Sequence, residues 1–150
     1  MDALFKQPAG DGTLRSNGMN ADAQKSLLIV EDHAPLRRAL RDWLLLEFPS
    51  WTIRESGSAE EALAAMNARR PDLVLMDIAL PLMDGVTATM EIRKQHPGVS
   101  CVIMTMYDSP EYRSAAQAAG AKGFINKLHV QAELLPLIAQ LRLDPESTLV

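Results

Sequence analysis

A chain of 150 residues has room for one well-formed core and too little length for two ordinary domains. With 47% hydrophobic and 23% charged residues, it has the balance of a folded globular protein and not of a disordered chain. A formal net charge of −4 argues against a basic face for duplex nucleic acid, and no apolar run approaches the roughly 18–20 residues that span a bilayer.

Residues 1–25 are expected to form a disordered tail. From Gln7 to Gln24 the chain is crowded with Gly, Pro, Asn and Asp and has no periodicity, so it buries too little to offset its ordering entropy. Met1 to Ser26 also lacks the apolar centre of a secretory signal, which leaves a cytoplasmic location as the expectation. The folded domain is then 26–142, with 143–150 as a C-terminal tail or the start of a linker.

Ser26 to Val30 is an apolar run too short for a helix, and it ends in Glu31-Asp32, so it reads as a buried strand. Behind Pro35, the residues Leu36, Ala39, Leu40, Trp43 and Leu44 recur at helical spacing. Trp51 and Ile53 mark a second strand. Ser58 followed by Glu61 is a capping box, opening a helix with Ala59, Ala62, Leu63 and Met66 on its apolar face.

Leu73 to Met76 is apolar at consecutive positions, as in a strand covered on both faces, and it ends at Asp77. Asp84-Gly85 opens a less periodic helix carrying Val86, Met90 and Ile92. Val99 to Met104 makes a fourth strand ending at Thr105. Ser109-Pro110 caps a helix with an expected inner face of Tyr112, Ala115, Ala116 and Ala119, closed by Gly120. Phe124 and Ile125 form a short fifth strand ending at Lys127, and Leu134, Leu137, Ile138 and Leu141 mark the last helix. Cys101, the only cysteine, lies inside the fourth strand and reads as a buried thiol.

Strict strand–helix alternation gives an α/β fold with a parallel sheet covered on both faces, because right-handed crossovers connect such strands. The expected architecture is a (βα)5 flavodoxin-like three-layer sandwich; its strand order, 2-1-3-4-5, is taken from known five-stranded folds of this kind and does not follow from the alternation itself. Ligands of such sheets gather at the carboxyl ends of the strands, near the point where strand order reverses.

The polar residues fall at those ends: Glu31 and Asp32, Asp77, Thr105 and Lys127. Each alone has a plainer reading. An acidic pair complements a helix N-terminus, a threonine is ordinary in a strand, and a lysine is usually a solvated charge. Together they describe a site. Three carboxylates in a partly dry crevice repel one another unless a cation joins them, and oxygen donors in an open cup suit Mg²⁺. A carboxylate facing Mg²⁺, a hydroxyl and an ammonium group is equipped for phosphoryl transfer, with Asp77 as nucleophile and Lys127 and Thr105 as partners of the phosphoryl oxygens.

The pieces L-L-I-V-E-D, L-V-L-M-D-I-A-L-P-L-M-D-G, V-I-M-T-M-Y-D and A-G-A-K-G-F-I-N-K resemble the receiver domain of bacterial response regulators from Ser26 to about Arg142. The run T-M-Y-D-S-P-E-Y, and the absence of proline after Lys127, are similar to the NarL/LuxR branch. The resemblance implies that Asp77 is phosphorylated by a partner phosphohistidine, from a sensor histidine kinase or a phosphotransfer protein. It implies Asp32 as a direct Mg²⁺ ligand, Glu31 as a ligand through water and the Ala79 carbonyl as a third donor, with Mn²⁺ able to substitute. Thr105 and Phe124 match the paired switch positions, the ring swinging inward as the hydroxyl moves toward the phosphoryl group.

Further expectations are homodimerisation on phosphorylation and one of two contexts, a stand-alone receiver or the regulatory half of a transcription factor whose DNA-binding helix-turn-helix lies outside this segment, which itself makes no nucleic-acid contact. Met106, where many receivers have a small residue, is expected to shield the acyl phosphate from water. Leu128, in place of a frequent cis-proline, is expected to loosen the Lys127 loop. Two other readings stay open at this point: a binding module that signals without phosphorylation, and a phosphatase with an aspartyl intermediate, whose usual second acid is replaced by Ala79.

Overall fold

The computed structural model describes residues 24–141 and 143. The expected tails lie outside these residues except at their inner ends. The Lys25 carbonyl already accepts from Thr52 N–H of the second strand at 2.8 Å, and Leu143 packs on the hydrophobic core.

Five strands, β1 (Ser26–Val30), β2 (Thr52–Ser56), β3 (Leu73–Asp77), β4 (Ser100–Thr105) and β5 (Gly123–Asn126), alternate with five helices. The helices are α1 (Ala34–Glu47), α2 (Ala59–Ala68), α3 (Gly85–Gln95), α4 (Pro110–Ala119) and α5 (Val130–Leu141). The sheet is wholly parallel, in the order β2-β1-β3-β4-β5. The parallel sheet bears out what the alternation implied, and the order is the flavodoxin-like one expected for five strands.

Strand parity divides the core into two layers, because successive side chains point to opposite faces. Leu27 and Ile29, Leu73 and Leu75, and Val102 and Met104 pack with Leu40 and Leu44 of α1 and with Val130, Leu134 and Ile138 of α5. Leu28 and Val30, Val74 and Met76, and Cys101 and Ile103 face α2, α3 and α4. Every residue of β1 and β3 is buried, which is why both read as unbroken apolar runs.

The helix starts follow their local chemistry. Ser58 Oγ accepts from Glu61 N–H at 3.1 Å while Glu61 Oε1 accepts from Gly57 N–H at 2.9 Å, so the capping box reaches one residue further back than its usual form. Asp84 caps α3 through Thr87 N–H, and Ser109 caps α4 through Tyr112 N–H. Gly120 ends α4 with a φ of 100°, a left-handed conformation that favours glycine.

Three helix faces differ from the sequence-based expectation. In α4 only Ala116 and Ala119 are buried, and Tyr112 and Ala115 are exposed. In α3 the buried stripe is Gly85, Ala88, Thr89 and Ile92, so Met90 faces out. Thr89 tolerates burial because its hydroxyl donates to the Gly85 carbonyl at 2.8 Å. In α1, Ala39 is exposed while Leu40 and Leu44 face inward. Trp51, expected in the second strand, precedes β2 and packs against Phe48, with ring centroids 4.5 Å apart.

Cys101 is buried in β4, and burial pushes its thiol up to about 12. At pH 8 a thiol reagent should therefore label the native chain at least about 10³-fold more slowly than the denatured chain, the reaction waiting on unfolding. Comparable rates in the two states would place the thiol outside the core.

Candidate functional site

The carboxyl ends of β1, β3 and β5 bring Glu31, Asp32, Asp77 and Lys127 together. One carboxylate oxygen from each of Glu31, Asp32 and Asp77 lies within 4.8 Å of the others. Lys127 Nζ sits 2.6 Å from Glu31 Oε1 and 3.2 Å from Asp77 Oδ2. Glu31 and Asp77 are 1% and 3% exposed, whereas Asp32 stands in solvent at the mouth of the cup.

Neighbouring backbone fixes these side chains. Glu31 Oε2 accepts from His33 N–H at 3.0 Å, and Asp77 Oδ1 accepts from Ala79 N–H at 3.2 Å. Arg37, which the sequence alone did not single out, donates to the Glu31 carbonyl at 2.7 Å and is itself paired with Glu55 at 2.9 Å. Arg41 holds the other oxygen of Glu55 at 2.7 Å. Burial alone would raise the Glu55 carboxyl, but the hydrogen bonds from Arg37 and Arg41 outweigh it and hold that carboxyl below its ordinary value.

The loop after β3 is drawn tight by Gly85, whose N–H donates to the Ile78 carbonyl at 3.0 Å. A Cβ on Gly85 would lie 2.2 Å from the Asp77 carbonyl oxygen, so only glycine allows α3 to begin against the back of the Asp77 strand. From α2, Glu60 accepts from Met83 N–H in the same loop.

Formally, three carboxylates face one ammonium group. Burial raises the Glu31 carboxyl above its ordinary value, with the Asp77 charge adding to the effect and Lys127 opposing it. Burial would lower the Lys127 ammonium, but Glu31 and Asp77 together outweigh that and raise it. The cup therefore keeps an excess of negative charge and offers oxygen donors only, a set that fits a hard divalent cation and does not fit zinc.

The two residues expected at the switch positions, Thr105 and Phe124, make contacts of their own. Thr105 is buried, and its hydroxyl is committed to its own loop, accepting from Tyr107 N–H at 2.8 Å and donating to the Tyr107 carbonyl at 3.2 Å. Phe124 is half-buried beneath the Arg113 guanidinium, 4.7 Å from the ring centroid. Met106 is exposed next to Thr105. After Lys127 the chain makes a 3₁₀ turn, Lys127–His129, held by Asn126 Oδ1 accepting from Leu128 N–H at 2.8 Å. A proline at 128 would lack that donor, so a side-chain cap gives this loop a hold that the sequence did not foreshadow.

Residues 27–139 match the family described as the response regulator receiver domain. The chain belongs to that family. Receiver domains are the phosphoacceptor modules of two-component signalling, and they act as regulators. Among similar proteins, the probable transcriptional regulatory protein TcrX of Mycobacterium tuberculosis is 31% identical over 123 residues, covering 81% of this chain and 52% of that protein. A LuxR-family response regulator from Aurantimonas superposes with a TM-score of 0.72 at 30% identity, over 79% of this chain and 84% of that one. The response regulator TrrA of Thermotoga maritima, solved with Mg²⁺ and beryllium fluoride, superposes with a TM-score of 0.70 at 29% identity, over 79% and 99% of the two chains. The chain spans about half the length of the curated transcriptional regulators it matches.

Proposed function

We propose that Asp77 takes a phosphoryl group from a phosphohistidine on a sensor histidine kinase or phosphotransfer protein. The observation that carries this reading is the meeting of Glu31, Asp32 and Asp77 within 4.8 Å, with Lys127 against two of them. An Asp77 oxygen attacks phosphorus, the P–N bond breaks with its electron pair leaving on the imidazole, and an acyl phosphate forms. Lys127, already 3.2 Å from Asp77, is positioned to pair with the charge that arrives.

Asp32, Asp77 and the Ala79 carbonyl are the donors we assign to Mg²⁺, with Glu31 acting through water and Mn²⁺ as a substitute. The TrrA relative was solved with Mg²⁺ and beryllium fluoride, which supports this choice. The ion supplies charge neutralisation for the phosphoryl oxygens. The chemistry is self-directed, limited to uptake and slow loss of one phosphoryl group. Thr105 and Phe124 are the residues we assign to the switch.

Incubation with a small phosphodonor and Mg²⁺ should add one phosphoryl mass to the wild-type chain and none to Asp77→Asn. A phosphoryl adduct on both proteins would contradict the assignment. Met106 is assigned the shielding of the acyl phosphate, being exposed directly after Thr105. Met106→Ala should shorten the phosphoryl lifetime several-fold, as followed by intact mass, and an equal or longer lifetime would remove that role.

The receiver domain is assigned to 26–142, and of the two contexts, a stand-alone receiver or the regulatory half of a DNA-binding regulator, the names of the relatives favour the second. Homodimerisation on phosphorylation and a cytoplasmic location complete the proposal. Among the described residues, no helix is long and apolar enough to cross a membrane.

A further inference from the structure

The switch aromatic is held from outside by an ion pair. Arg113, in the first turn of α4, places its guanidinium 4.7 Å from the centroid of the Phe124 ring. The same guanidinium forks onto Asp108, with Nε to Oδ1 at 2.8 Å and Nη2 to Oδ2 at 3.0 Å. Asp108 lies in the β4–α4 loop, one residue after Tyr107, and Tyr107 is the residue whose backbone both donates to and accepts from the Thr105 hydroxyl. Thr105, Tyr107, Asp108, Arg113 and Phe124 thus form one connected path between the end of β4 and β5.

We propose that Asp108 and Arg113 are positioning residues that latch Phe124 in its resting place and link it to the Thr105 loop. This rests on the phosphoacceptor reading of Asp77. Thr105 spends its hydroxyl on Tyr107 in the resting chain. A phosphoryl group on Asp77 competes for that hydroxyl, leaving Tyr107 N–H without its 2.8 Å partner. The loop then rearranges, Asp108 shifts, and the guanidinium no longer lies on the ring. A planar fork suits this task, because a bidentate pair fixes the orientation of the cation as well as its position.

The charges around Arg113 reinforce the latch. The hydrogen bond from Arg113 holds the Asp108 carboxyl below its ordinary value. Arg113 is raised first by Asp108 and also by Glu133 of α5, which accepts from the Asn126 N–H at the end of β5. Arg113 thereby joins α4 to β5 through the Phe124 ring.

The test follows the Phe124 ring by NMR in phenylalanine-labelled protein, with beryllium fluoride and Mg²⁺ as the phosphoryl mimic. In wild type, the mimic should move the Phe124 signals from a resting to a switched position. Without the mimic, Arg113→Ala should raise the switched population about fivefold, as expected for loss of one cation–π contact. Asp108→Asn should move the signals the same way, and Arg113→Lys, which keeps the charge but loses the fork, should fall between Arg113→Ala and wild type. The initial rate of phosphorylation by a small donor should rise in the same order, which mere loss of stability would not produce.

Variants that remain at the resting position in a wild type that responds to the mimic would overturn the latch alone. Movement in Arg113→Ala without movement in Asp108→Asn would reduce the contact to local packing and also overturn it. A wild type that ignores the mimic would overturn the phosphoacceptor reading, and this inference with it.

Discussion

Lys127→Met should lower the stability of the metal-free chain by about 2–3 kcal/mol and slow phosphorylation by a small donor about 10²–10³-fold. The stability effect arises because Lys127 is 11% exposed and faces two carboxylates that are almost fully buried. Without the ammonium group, those charges have only the backbone donors of His33 and Ala79 to stabilise them. Breaking a fully enclosed pair costs about 3–5 kcal/mol, and the open mouth at Asp32 reduces the figure here.

The loss has a definite pH dependence. Burial already raises the Glu31 carboxyl, and removal of Lys127 takes away what opposes that rise. A carboxyl raised in the folded state binds its proton more readily there than in the unfolded chain. Its protonation therefore favours folding at low pH, and that advantage disappears as pH rises through the folded value. Urea unfolding should show a deficit that is small near pH 5 and large near pH 8, with Mg²⁺ restoring part of the stability and not the transfer rate. A variant as stable as wild type at pH 8 would show that the acidic cup does not depend on the lysine.

Gly85→Ala should cost about 3 kcal/mol or more, because the added methyl group would meet backbone and not a flexible side chain. Its Cβ would stand 2.2 Å from the Asp77 carbonyl oxygen and 2.9 Å from the Ile78 Cα. Relief requires α3 or the end of β3 to move. Since a displacement of about 1 Å at a reacting group costs on the order of 10²-fold in rate, phosphorylation should fall with stability. Gly98→Ala is the control, since its Cβ would meet nothing within 4 Å. Equal behaviour of the two variants in urea unfolding would show that α3 does not bear on Asp77.

The sheet was legible because four of its five strands announce themselves by a short apolar run and the polar residue that ends it, while β2 showed only through Trp51 and Ile53. Leu73 to Met76 is apolar without a break since both faces of β3 are buried, and Asp77 ends the run because it reaches the rim. The same logic located Glu31, Thr105 and Lys127. Helix faces were less legible where the buried residues are small. The stripe of α3 is Gly85, Ala88, Thr89 and Ile92, which hydrophobicity alone ranks below Met90.

Tyr112 and Ala115 of α4 flank an open cleft of about 410 Å³ shared with Tyr107 and Val86 instead of packing on the sheet. The Asp108–Arg113–Phe124 contact carries no sequence signal. Its partners are five and eleven residues apart along the chain, and only the turn at Ser109-Pro110 and the return of β5 bring them together. Arg37 is equally silent, because its role is to hold a backbone carbonyl across the β1–α1 loop.

The most direct test of the central claim is to map the modified residue. After incubation with a small phosphodonor and Mg²⁺, borohydride reduction converts an aspartyl phosphate to homoserine, which peptide mass mapping locates. Homoserine at position 77 and at no other aspartate is the expected result. Reduction at Asp32 or another carboxylate, or a borohydride-stable phosphate with Asp77 intact, would contradict it.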